Sequence, residues 1–169
     1  METCPGCGAE LAAVDGPTDP YGGASPSCWA MFAEVCAKDF GEYGYPDVHR
    51  SIVDAYMAQH PSFATPAGRR SVAVHLVGLY CTFEERLSVK EIVRILAEVF
   101  PDKRDVLPFA PVPPSSELTI ASVYSASNEL DHSERATAWA RAVWRAWAPH
   151  HSRVRELFLA RARSRPSDR

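Results

Sequence analysis

No stretch of this sequence approaches the roughly 20 consecutive apolar residues that cross a bilayer. Its beginning, Met1-Glu2-Thr3-Cys4, has neither the basic end nor the apolar run of a secretory leader. A soluble, cytoplasmic protein without a membrane partner is expected. A glycine-rich phosphate loop and an internal repeat are also absent, which disfavours the common nucleotide chemistries. Positive charge is not in surplus: the formal net charge of −3 provides no global attraction for nucleic acid, so a nucleic-acid partner is disfavoured. There are only five cysteines, an odd number. In a reducing compartment they read as metal ligands or core residues rather than as a disulfide framework.

What is present suits one ordinary domain. The chain has 169 residues, 46% of them hydrophobic, enough for a single core. Charge is uneven along it: residues 1–149 hold 12 Lys/Arg against 19 Asp/Glu, whereas residues 150–169 hold 6 Arg against Glu156 and Asp168. The end is therefore a basic tail, read as a solvated, disordered segment over 163–169 and as a contact for an acidic protein partner.

The pattern predicts a mainly α fold, a helical bundle over 25–162 with an N-terminal zinc-bound loop over 1–24. Residues 1–24 are rich in Gly, Pro and Asp and lack periodicity, so they read as a loop that needs something other than a core to order it, which zinc can supply. Ser25-Pro26 pairs a capping hydroxyl with Pro at the first helical position, and Trp29, Phe32, Cys36 and Phe40 then share one face. A second helix is expected from about 46 to His60 with Val48, Ile52, Ala55 and Tyr56 inward, stopped by Pro61. The third, about 70 to 85, is apolar almost all round, as a central bundle helix is. Ser88-x-x-Glu91 has the form of a capping box and opens a fourth helix that Pro101 ends. The prolines at 108, 111, 113 and 114 mark a stiff extended connection over 107–116. A short helix follows near 118–126. Asp131-x-x-Glu134 reads as a second capping box, opening a helix with Trp139, Val143 and Trp147 at four-residue steps, which Pro149 kinks or ends.

Cys4-Pro5-Gly6-Cys7-Gly8 carries the most specific chemistry. Two cysteines separated by two residues grip one tetrahedral ion, and the glycines let the backbone fold around the sulfurs. The usual second Cys-x-x-Cys is missing, so the remaining ligands come from elsewhere. Cys28, in the first turn of a helix, is the best third ligand, because unpaired amides and the helix dipole favour a thiolate there. Cys36 lies about 12 Å further along that helix and reads as core, like Cys81. Short connections make successive helices antiparallel, bringing Cys28, His60 and His75 to one end of the bundle. His60, at the rim, suits the fourth position best, with His75 the alternative; His49 belongs to the opposite end. His75, with Asp54 and Gln59 near it, also suits a small pocket in which Asp54 orients the imidazole and His132 or His151 assists.

Several segments together resemble an uncharacterised family of small bacterial proteins, a domain of unknown function with an N-terminal Cys-Pro-Gly-Cys-Gly zinc knuckle. The resemblance rests on that motif, Ser27-Cys28-Trp29, the stretch from His49 to Asp54, Tyr56, Gln59-His60-Pro61, and the residues from Ser71 to Leu76. It extends to the run from Trp139 to Trp147 and to His150-His151. It implies the metal loop and the fold but no activity. A weaker analogy is to bundle metalloproteins of the DinB type, in which three histidines hold a divalent ion; here that would need His75 with His132 or His151.

Two functions fit. One is a small metal-dependent enzyme with zinc at the Cys loop, catalytic residues His75, Asp54 and His151, and a small-molecule ligand in a His-lined pocket. The other is a non-catalytic, zinc-stabilised binding or scaffold module. Four protein ligands closing one ion would favour the module, and an open coordination position the enzyme.

Overall fold

Helix α1 (Pro26–Gly41) opens where Ser25-Pro26 predicts it, with the Ser25 hydroxyl accepting from the Cys28 amide. It is the first of seven α-helices among the described residues of the computed structural model, which describes residues 1–19, 22–101, 109–112 and 117–163, with side chains to residue 160. The expected Pro-rich connection over 107–116 lies outside that set apart from 109–112, and the tail beyond Arg163 lies wholly outside it. No helix among the described residues is long and apolar enough to cross a membrane.

Residues 1–12 are more ordered than a loop. Strand β1 (Glu2–Thr3) pairs antiparallel with β2 (Glu10–Leu11), Glu2 opposite Leu11 and Thr3 opposite Glu10. The ribbon is set by the turn inside it rather than by side-chain alternation, since two-residue strands carry no readable period.

On α1 the buried face is Cys28, Phe32, Val35 and Asp39, not the predicted stripe ending at Phe40. Phe40 is 62% exposed and Cys36 half-buried. The register is shifted because a carboxylate, Asp39, takes the inward position beside two histidines.

Helix α2 (Val48–Gln59) buries Ile52, Ala55 and Tyr56 as expected, and also His49, Asp54 and Gln59; His60 is its C-cap residue. Helix α3 (Pro66–Phe83) starts earlier than predicted, capped by the Thr65 hydroxyl with Pro66 at its first position. Helix α4 (Val89–Val99) has the full Ser88/Glu91 capping box. Helix α5 (Ile120–Tyr124) is the short element near 118–126. Helix α6 (Glu129–Ala146) begins before Asp131: Asn128 is the cap, accepting from the Asp131 amide, and the carboxylates of Glu129 and Asp131 fall in the first turn, where the dipole favours them. A single 3-10 turn (Ala148–His150) containing Pro149 separates it from α7 (His151–Arg163).

Helix α2 lies between α3 and α6 at the centre, while α7 packs on α3 and α4, and α5 bridges α1 and α6. Trp139, Val143 and Trp147 are core residues. Their indole N–H groups find partners at the end of α2: Trp139 donates to Gln59 Oε1 (3.0 Å) and Trp147 to the Ala58 carbonyl (3.1 Å), one of the orphan carbonyls of a helix terminus. The amide of Gln59 donates in turn to Leu118 O (2.9 Å). These contacts hold the last turn of α2, and therefore His60, against α6.

Candidate functional site

The knuckle is built by backbone hydrogen bonds. The Cys4 amide donates to Ala9 O and the Gly8 amide to Cys4 O, both at 2.8 Å, with Gly8 in the left-handed region at φ 74°. Gly6 is required for another reason: a Cβ there would meet His60 Cδ2 at 2.5 Å and Gly23 O at 2.9 Å. The ribbon docks on the start of α1 through Ser27, whose hydroxyl donates to Ala12 O (2.7 Å) and accepts from the Val14 amide (3.1 Å). The Glu2 carboxylate accepts from the Ser27 amide (3.1 Å). Ser25-Pro26-Ser27-Cys28 therefore caps the helix, anchors the ribbon and presents a thiol in four residues.

The ligating atoms of Cys4, Cys7, Cys28 and His60 all lie within 4.8 Å of one another, and all four residues are buried. This group can hold a metal ion. Cys7 Sγ and Cys28 Sγ are 3.9 Å apart, and His60 Nε2 is 3.2 Å from Cys28 Sγ. An ion bound tetrahedrally at the usual zinc–sulfur distance separates its sulfurs by about 3.8 Å, so the donor set fits such an ion. The imidazole is aimed by its other nitrogen: Nδ1 lies 2.7 Å from Tyr56 O, and a proton donated there leaves the Nε2 lone pair for the sulfur cluster. The Gly23 amide donates to His60 O (3.0 Å), and the Ser25 amide donates to Cys4 Sγ (3.4 Å).

Four titratable groups this close share their protons. Hydrogen bonds with Cys28 and Cys7 hold the Cys4 thiol far below the ordinary thiol range, while bonding to the Cys4 and Cys7 sulfurs drives Cys28 far above it. Burial opposes a charge on His60, but hydrogen bonds to Cys4 and Cys7 outweigh it and raise the imidazole to about 9. Without an ion, then, the raised Cys28 and His60 keep protons that a cation would displace.

His75 is not part of this group. Its Nδ1 lies 2.7 Å from Asp54 Oδ1, joining α3 to α2 within the bundle. Asp54 has no solvent exposure, and Arg50 grips it through Nε to Oδ2 (2.8 Å) and a terminal nitrogen to Oδ1. Gly78 makes room for that carboxylate, since a Cβ would sit 2.2 Å from Asp54 Oδ2.

His151 and His132 are elsewhere. His151 stacks on Trp144 at 3.7 Å between ring centres, with Nε2 3.0 Å from Trp144 O. It lines a cleft with Tyr80 and Glu84 that shares no residue with the cleft beside His75. His132 is buried with Nε2 2.7 Å from Asp39 Oδ1, at an angle that makes no hydrogen bond, and His49 Nδ1 is 2.7 Å from Asp39 Oδ2. The His75–Asp54–His151 set expected from the sequence is thus split, with Asp54 and His75 together and His151 apart. Sequence reasoning missed the His49–Asp39–His132 cluster. Its one signal was the spacing of Asp39 from Phe32 and Val35, which places a carboxylate on the buried stripe.

The match of a family model to residues 2–148 settles the relationship. The chain belongs to the family of unknown function DUF5946. No curated protein and no solved structure matches it. The family match spans Cys4, Cys7, Cys28, His60, Asp54 and His75, and stops before His150 and His151.

Proposed function

We propose that this protein is a zinc-stabilised helical module in which one structural ion, held by Cys4, Cys7, Cys28 and His60, locks the N-terminal ribbon onto the bundle. The observation that carries the reading is the burial of all four ligand residues, each at most 1% exposed. Four protein donors complete a tetrahedron, and this buried setting provides no side from which a substrate could reach a fifth. That favours the module over an enzyme whose metal does the chemistry. Three thiolates with one imidazole select zinc among the abundant divalent ions, because soft sulfur donors in tetrahedral array suit it. The ion would supply cohesion where the sequence supplies little apolar burial, joining the ribbon, the start of α1 and the end of α2.

Elemental analysis of protein purified without chelators tests this. One zinc per chain is expected; metal-free protein with the ribbon still ordered would refute it.

A further inference from the structure

Beside His75 lies a cleft of about 570 Å³, lined by Pro66, Ala67, Arg70, Ser71, Val74 and His75 among others. His75 is the residue that connects this cleft to the buried charge pair. Within α2, Arg50 already bonds both oxygens of Asp54, so the buried carboxylate has its counter-charge without His75. With Nδ1 directed at Asp54 Oδ1, the imidazole carries its lone pair on Nε2, for which no partner exists among the described residues. A buried carboxylate behind a partly exposed imidazole is the arrangement that holds a general base in one tautomer and stabilises its charged form.

We propose that Arg50, Asp54 and His75 form a metal-independent acid–base site that hydrolyses a small carboxylic ester bearing an apolar acyl group. Pro66, Ala67 and Val74 provide the apolar wall, and Arg70 and Ser71 the polar edge. Arg70, which donates to Phe100 O at 3.0 Å, is the cation of the cleft. In the reaction His75 Nε2 takes a proton from water as the water oxygen bonds to the acyl carbon. The carbonyl π pair moves to its oxygen, and the oxyanion faces Arg70 and Ser71. Collapse re-forms the carbonyl and breaks the carbon–oxygen bond to the alcohol, and the imidazolium returns its proton to the departing alkoxide. Water is consumed, one acid and one alcohol form, and the base is regenerated. His75 is the catalytic residue; Asp54 and Arg50 position it.

The probe is p-nitrophenyl butyrate with the zinc-loaded full chain. Turnover should exceed that of free imidazole at equal concentration by about 100-fold, the lower end of what a positioned base contributes. His75→Ala and His75→Gln should each lower kcat/KM at least tenfold while metal content and Tm are kept. His150→Ala should leave it unchanged. Asp54→Asn should lower kcat more than it alters KM. Diethyl pyrocarbonate, applied to the unmodified protein until peptide mass spectrometry shows His75 carbethoxylated, should abolish turnover whether or not the variants fold. Turnover no faster than free imidazole, or turnover that survives modification of His75, overturns the proposal.

Discussion

Cys28 and Cys36 lie on one helix and have the same side chain, yet their surroundings assign them different chemistry. Cys28 meets Cys7 and His60, and its amide is capped by the Ser25 hydroxyl. Cys36 has no such neighbours, and burial pushes its thiol up to about 12. Cys28→Ser should therefore weaken zinc retention on the order of 100-fold or more, since even losing an outer-shell partner costs up to that much. Cys36→Ser should leave it within about threefold, a difference that competition with a chromogenic chelator measures directly; equal loss from both would place the metal elsewhere. Protons report the same assignment. Because Cys28 and His60 hold theirs without an ion, zinc added to stripped protein at neutral pH should release acid in a pH-stat, and apparent affinity should fall as pH falls.

Helices α2 and α3 approach closely at Gly78 because no side chain stands between α3 and the Asp54 carboxylate. Gly78→Ala would normally favour a helix, by about 1 kcal/mol in an exposed interior. Here the sign reverses, since the added methyl would overlap Asp54 and separate it from Arg50 and His75. Breaking a buried ion pair costs about 3–5 kcal/mol, so net destabilisation of about 2 kcal/mol or more is expected in urea unfolding. An unchanged or raised midpoint would show that the helices move apart without cost. The end of α2 is defined in the same way, by contacts from α6: Trp139 and Trp147, bonded to Gln59 and Ala58, hold the turn from which His60 reaches the sulfurs.

For the whole molecule, the bundle and the ribbon depend on different forces. The bundle buries the aliphatic and aromatic side chains of α2, α3, α6 and α7, whereas the ribbon contributes few buried apolar groups beyond its cysteines and Leu11. Chelation should therefore raise hydrogen exchange strongly across residues 1–30 and at the His60 turn, and leave the centres of α3 and α6 within about tenfold of their protection. Collapse of protection throughout would mean that the ion supports the bundle as well. The mainly helical fold was legible because capping and periodicity are local: Ser25-Pro26 and Ser88-x-x-Glu91 begin helices by bonds made within three residues. Asp131 misled, since Asn128, three residues earlier, starts the helix by accepting from the Asp131 amide and so leaves Asp131 inside the first turn. The ribbon was not legible, because its pairing follows from the turn at Cys4–Gly8.

The sequence by itself determined the helices and most of a donor set that can hold a metal, because Cys-x-x-Cys spacing, a helix-starting cysteine and capping residues act over a few bonds. Adjacency of successive helices was enough to bring Cys28 and His60 toward one end. Only the tertiary structure decided which imidazole faces the sulfurs and which faces Asp54, that His151 belongs to another cleft, and that Asp39 lies between His49 and His132. Those choices depend on the rotation of each helix about its axis, and a rotation of one residue's arc moves a side chain from core to solvent. No local preference sets that angle; it is set by packing on the neighbouring helices, where Gly78 admits a carboxylate and the tryptophans hold the end of α2.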